Sequence, residues 1–369
     1  MLQTNRIATV SWIILICAIS ARADDAQDEA IAFVENLGGC VTRDERTPEN
    51  GVVKVNLEFT SITDAGLKKL TRFKNLSTLD LGSTNVTDAG VEDLAVFEKL
   101  NVLILDNTKV TDIGLNSLAK FPSLKSLILD STGLTDDGLK SLIKVQNLTA
   151  VSLNGTCVTD AGTKLLSQLS NLATLDLSNT KVTDSGLKEL ARVKTLSELF
   201  LVGTSVSDSG VASIASLKNL KELYLSRSNV TDAGLQELSS LKNLRKLALF
   251  KTCVTDFGMR HLAELKNLRV LNVGSTKVTE LGLKDLSPLK NLTKLDLSGT
   301  AIGDSGLKKL AVFSNLVELS LQRTNVSDAG LKELIPLGKL AELNLSGTNV
   351  TENGAKELKK SRPTCSIRR

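Results

Sequence analysis

LDLGSTNVTDAGVEDLAVFEKLNVL, residues 79–103, holds one full period of the chain and the start of the next. Leu79 and Leu81 alternate as in a strand, Thr84 stops the alternation, and Val86-Thr87-Asp88-Ala89-Gly90 links it to a helical pattern at Val91, Leu94 and Phe97. Leu100 then leads into the next alternation at Leu103. The pattern returns every 24 residues from Val55 to Leu343, thirteen times, without an insertion or deletion. So strict a period predicts coils stacked along one axis, because a single coil has no partner on which to bury its apolar face.

Each position in the period carries its own expectation. Three residues beyond the second Leu stands a hydroxyl, Thr84, Thr108, Thr132 and onward, with Ser228 as the one substitute. Keeping the oxygen while losing the methyl points to a hydrogen bond with backbone where the chain leaves the sheet. Thr or Ser followed by Asp (Asp64, Asp88, Asp112, Asp160, Asp208, with Glu280 and Glu352 as exceptions) predicts helix capping rather than a row of metal ligands. Glycine recurs from Gly66 to Gly354 although it weakens a helix, so close approach of the next coil is the favoured reason. Lys-Asn pairs such as Lys242-Asn243 end the helices, with Asn suited to a left-handed terminal position.

The pattern Leu-x-x-Leu-x-Leu-x-x-Thr-x-Val-Thr-Asp-x-Gly-Leu resembles the leucine-rich-repeat family, over Val55 to Leu345. It is similar to the helix-backed repeats of F-box-type and ribonuclease-inhibitor-like members and to arrays in exported bacterial proteins. Thr stands where the commonest consensus has Asn, and the regular cysteine of one subfamily is missing. The resemblance implies an α/β fold: a right-handed horseshoe solenoid of 13 repeats of 24 residues, with a parallel β-sheet on the concave face and α-helices on the convex face. It also implies a protein-binding surface. Right-handed crossover is the physical expectation as well.

The chain divides at 1–23, 24–54, 55–350 and 351–369. Arg6, the apolar run Ile7 to Ile19 and Ala21-Arg22-Ala23 before Asp24 predict a cleaved signal peptide. The run is short for a membrane span, so no stable span is expected after cleavage. Export, periplasmic or secreted, follows. Asn-x-Ser/Thr sequons such as Asn75, Asn85 and Asn147 arise from the repeat and lean towards a bacterial source. Residues 24–54, with an amphipathic pattern from Asp28 to Leu37 stopped by Gly38-Gly39 and a strand at Cys40 to Thr42, read as an N-terminal cap too short for an F-box. Residues 351–369, where Ala355 and Ser361 replace apolar residues and Pro363 breaks the helix, read as a C-terminal cap.

Net charge falls from +4 to +2 on removal of Arg6 and Arg22, which gives no electrostatic case for nucleic acid. Cys157 and Cys253 share a repeat position four repeats apart, roughly 19 Å at about 4.8 Å per strand, too far for a disulfide. Cys40 and Cys365 lie at opposite ends, so four free thiols are expected, with a spacing that fits no zinc site.

With Leu79 and Leu81 inward, Thr78, Asp80 and Gly82 face solvent. This register isolates two groups that the fold does not dictate. Ile104 and Ile128 accompany Asp106 and Asp130, whose mutual repulsion a basic group or cation would relieve. Phe200, Val202, Tyr224 and Phe250, flanked by Glu198, Glu222, Arg227, Lys246 and Lys251, have the composition of a binding hot spot, unless the rings merely pack on one another. His261, the one histidine, falls on an outer helix position, so a Ser-His-Asp or Cys-His arrangement has nowhere to form. A carboxylate pair such as Asp106 and Asp130 on an open sheet excludes water poorly. The expectation is a non-enzymatic, cofactor-free, exported scaffold that binds protein through its concave sheet. The alternative is a glycan or cell-wall polymer stacked on Phe200, Tyr224 and Phe250.

Overall fold

The computed structural model describes residues 25–45 and 51–369, in two compact units that divide after Lys181. The signal-peptide reading of residues 1–23 lies outside the described residues.

In the first unit, α1 (Asp25–Asn36) ends at Gly38, whose positive φ of 85° turns the chain into β1 (Cys40–Arg43). β1 runs antiparallel to β2 (Val52–Asn56). Then follow, all parallel and in sequence order, β3 (Thr78–Asp80), β4 (Val102–Ile104), β5 (Ser126–Ile128), β6 (Ala150–Ser152) and β7 (Thr174–Asp176). The second unit holds β8 (Glu198–Phe200), β9 (Glu222–Tyr224), β10 (Lys246–Ala248), β11 (Val270–Asn272), β12 (Lys294–Asp296), β13 (Glu318–Ser320) and β14 (Glu342–Asn344). β15 (Ser366–Arg368) closes the order, again parallel. Leu79 pairs with Leu103 and Leu223 with Leu247, so the 24-residue period is the sheet register itself. The alternating leucines, with Val86, Val91, Leu94 and Leu100 of the same coil, are fully buried.

The helical segments are less regular than the period implies. Asp232–Leu238 and Asp256–Leu262 are α-helices, whereas Gly114–Lys120 is wholly 3-10, and the α turn Asp64–Leu67 continues as 3-10 through Arg72. A 3-10 turn rises about 2.0 Å per residue against 1.5 Å, so it gives a narrower and more extended outer segment.

The hydroxyls do what their pattern predicts: Thr84 Oγ1 donates to the Leu81 carbonyl at 2.6 Å, and Ser228 Oγ to that of Leu225 at 2.6 Å. The aspartates behave differently from the capping expectation. Thr135 Oγ1 caps its own helix, accepting from the Asp137 amide at 3.2 Å. The carboxylate instead reaches the next coil: Asp64 takes the Thr87 amide at 2.9 Å on one oxygen and the Thr87 hydroxyl at 2.6 Å on the other. The same two-bond stitch joins Asp112 to Thr135, Asp208 to Thr231 and Asp304 to Ser327.

This stitch explains the recurrent glycine. Asp208 Oδ1 also receives the Gly234 amide at 2.9 Å, and a Cβ on Gly234 would lie 2.5 Å from that oxygen. Close approach is therefore the reason, as the sequence favours. Glu280 breaks the series, and the residue due to meet it is Gly303, which has no hydroxyl.

The asparagines also stitch coils instead of taking a left-handed terminal conformation. Asn243 Nδ2 donates to the Lys218 carbonyl and Asn267 Nδ2 to that of Lys242, each at 2.8 Å. The positive-φ residues stand elsewhere, just after each strand: Asn107, Asn179, Arg227, Lys251 and Arg323 among the non-glycines, Gly203 and Gly299 among the glycines.

Candidate functional site

Along each strand the residue between the two buried leucines, and the one two places on, form the sheet face turned away from the core. Parallel in-register strands about 4.8 Å apart bring these side chains into direct contact. That closeness corrects the expected exposure. Ile104, Ile128 and Phe200 are 3–4% exposed and Asp80 5%, so none of them is a free contact residue. Ile104 and Ile128 are register partners and cover each other.

Asp106 and Asp130, one turn further along, remain half-exposed. Asp130 Oδ1 accepts hydrogen bonds from the Ser152 hydroxyl and, at 3.0 Å, the Asn154 amide. Asp106 packs where a side chain on Gly82 would stand, 2.5 Å from that absent Cβ. The Asp130 carboxylate ties its strand to the next one, and its Oδ1 is satisfied without a cation. Among the described residues, no three His, Cys, Asp or Glu side chains are grouped to hold a metal ion.

Asp176, which the register reading passes over, is the most perturbed acid of this face. Burial pushes its carboxyl up to about 7, Asp130 adding to the rise, against the hydrogen bonds from Ser178. Asp176 Oδ1 accepts the Ser178 amide at 2.7 Å, a turn that Asp80 and Gly82, Asp296 and Ser298, and Asn272 and Gly274 repeat. The recurring Asp/Asn two places before the small residue is the sequence signal for it. Cys40, Lys54, Asn56 and Asp80 line a shallow hollow at the β1 end of the face.

The aromatic group in the second unit is brought together as expected, though with a different exposed set. Phe200 and Tyr224 stack with ring centroids 4.3 Å apart and planes 8° from parallel. Phe200 is covered, while Tyr224, Val202 and Phe250 are half-buried. The Tyr224 hydroxyl donates to Glu222 Oε2 at 2.9 Å, and Glu222 Oε1 holds Lys246 Nζ at 2.8 Å. Burial and the Glu222 carboxylate raise the Tyr224 phenol far above its ordinary range, so it stays protonated and anchored. Phe250 lies against bare Gly274, whose absent Cβ would stand 3.0 Å from its ring. Lys251 Nζ is 5.5 Å from the Phe250 centroid. Arg227 and Lys251 are exposed, at positive-φ turns (59° and 56°) whose amides bond to the Phe250 and Gly274 carbonyls.

Away from the sheet, Ile113, Phe257 and Leu281 are 64–69% exposed at a position near the helix start that other coils fill with Ala, Ser, Asp or Asn. His261, also on a helix, is half-buried. The four described cysteines are free thiols, Cys157 and Cys253 exposed and Cys365 buried. No described helix is long and apolar enough to cross a membrane.

A family profile described as "Leucine Rich repeat" matches residues 74–95, 122–142, 168–191, 216–239 and 289–311. Comparison with curated proteins gives no significant match. Among solved structures, an internalin from Listeria monocytogenes is similar at 21% identity and TM-score 0.65, over 93% of this chain and 94% of that one. A leucine-rich-repeat protein of Leptospira interrogans is similar at 21% identity and TM-score 0.52, over 90% of this chain and 93% of that one. Identities this low speak for the fold alone. The profile matches fall on the coils whose leucines pair strand to strand, and the solved relatives share the architecture. This chain is a leucine-rich-repeat protein.

Proposed function

We propose that the chain is a non-enzymatic scaffold that binds a protein through the outward sheet face around Tyr224 and Phe250. The observation that carries this is a half-exposed aromatic pair on a hydrogen-bonded sheet, bordered by cationic side chains that the fold does not use. Aromatic and arginine side chains on a rigid surface are the usual anchors of protein interfaces. The repeat architecture supports the same reading, since stacked coils offer an extended surface with no enclosed site. The chain is read as exported, with residues 1–23 as a cleaved signal peptide, 24–54 and 351–369 as end caps and 55–350 as the repeats. N-terminal sequencing of the exported protein tests the first boundary.

The test of the binding role is the double variant Tyr224→Ala with Phe250→Ala, used with mature protein to capture partners from a lysate of the source cells. Loss of specific bands with an unchanged circular-dichroism melt is the expected result. Unchanged capture with an intact fold removes the assignment to this face. A glycan array run in parallel addresses a polysaccharide ligand, for which burial of Phe200 leaves two half-exposed rings in place of three.

A further inference from the structure

The Phe200–Tyr224 stack stops abruptly. The two rings are register partners on β8 and β9 with nearly parallel planes, so the stacking direction runs across the strands. The second face of Tyr224 therefore looks towards β10, where its register partner is Ala248, only a methyl group. Beyond Ala248 the next partner is Asn272, whose Oδ1 is already occupied by the Gly274 amide at 2.9 Å. Two strand spacings, about 9.6 Å, separate Tyr224 from Asn272 across this gap. A planar side chain resting on Ala248 would continue the stack at ordinary contact distance.

Charge on the turn side of this slot is positive, whereas Glu198 and Glu222 stand at the opposite ends of β8 and β9. Glu222 is consumed by Tyr224 and Lys246. Arg227 and Lys251 occupy equivalent positions in adjacent coils, and neither has an ion pair or side-chain hydrogen bond among the described residues. Both take a left-handed turn that most other coils give to Gly, Asn or Ser, with Phe59 and Arg323 as the further exceptions. Two like charges one coil apart repel each other, and a carboxylate set between them relieves that repulsion.

Building on the face-binding reading above, we infer that the partner is an acidic polypeptide segment. It places an aromatic side chain over Ala248, against Tyr224, and a carboxylate between Arg227 and Lys251. The polar base of the slot is spent on internal bonds, so selectivity comes from one ring and one negative charge.

The experiment selects a random 12-residue peptide-display library against the full chain, eluting with and without competing Tyr224→Ala/Phe250→Ala protein. The expected face-dependent peptides carry Asp or Glu within a few residues of Phe, Tyr or Trp. A synthetic representative should bind at least tenfold more weakly to Ala248→Leu, which fills the slot without touching the core. It should also bind at least tenfold more weakly to Arg227→Glu/Lys251→Glu, and lose affinity with salt. Face-dependent peptides that are basic or purely aliphatic, or that ignore Ala248→Leu, overturn this inference and leave the binding face standing. Peptides indifferent to Tyr224 and Phe250, or none at all, overturn both. A glycan that binds the wild type and is blocked by Ala248→Leu overturns the polypeptide occupant.

Discussion

The Cβ that Gly90 lacks would stand 2.3 Å from Asp64 Oδ1, an oxygen that already holds the Thr87 amide at 2.9 Å. Asp64 has no room to retreat without giving up Thr87. Gly90→Ala is therefore expected to cost about 2–3 kcal/mol, read as a lower urea midpoint. Gly338 has nothing within 4 Å of its absent Cβ and no positive φ, so Gly338→Ala is the matched control and should move the midpoint little.

Glu280 and Gly303 stand where Asp and Thr make the stitch elsewhere. Gly303 has an extended backbone (φ −119°, ψ −166°) that threonine adopts readily, and its absent Cβ meets nothing closer than 3.8 Å. Installing Glu280→Asp together with Gly303→Thr should raise stability by about 1–2 kcal/mol. The gain should exceed the sum of the single variants, since each half lacks its partner. A double-mutant cycle by chemical denaturation measures it, and strict additivity would contradict the stitch.

Thr132 Oγ1 donates to the Leu129 carbonyl at 2.6 Å inside the core. Thr132→Val keeps the shape and removes the donor, which should cost about 1–2 kcal/mol. Thr132→Ser keeps the bond, as Ser228 does naturally. If serine proves the more damaging of the two in thermal melts, the methyl matters and the hydroxyl does not.

Asp176 titrates near 7 in the fold against an ordinary 3.8, because burial disfavours its charge. Between those values the folded chain binds more protons than the unfolded chain. Its contribution is thus fully present below pH ~4, is lost as pH rises towards 7, and stays constant above that. The span is on the order of 4 kcal/mol. Asp176→Asn can keep the turn to Ser178 through its amide oxygen, as Asn272 does for Gly274. Melting temperatures from pH 4 to 8 should therefore rise relative to wild type as pH increases. Parallel curves would sink the assignment.

Much of this fold is legible in a single period. Strand register and core leucines follow from spacing alone, because the same residues recur at the same place in each coil. What the sequence hides is whatever one coil does for the next. Asp64 beside Thr63 reads as a local cap, and only the stacked structure shows that its partner is Thr87. Asn243 reads as a helix terminator and turns out to hold Lys218. The same blindness affected the candidate site: Ile104, Ile128 and Phe200 point outward in register, yet their neighbours along the sheet cover them. The left-handed turn at Arg227 and Lys251 was visible in principle, since Gly203, Asn179 and Gly299 fill the equivalent place.

Outside the Glu280–Gly303 gap, the reach of an aspartate to a threonine or serine 23 positions on makes a coil offer on one side what it requires on the other. Copying or deleting one whole coil by unequal recombination leaves no donor stranded and no acceptor empty at the new junction, so long as the cut respects the period. An array of this kind can change its length in a single genetic event and still fold, and its surface can then diverge coil by coil while the stitching residues stay as they are.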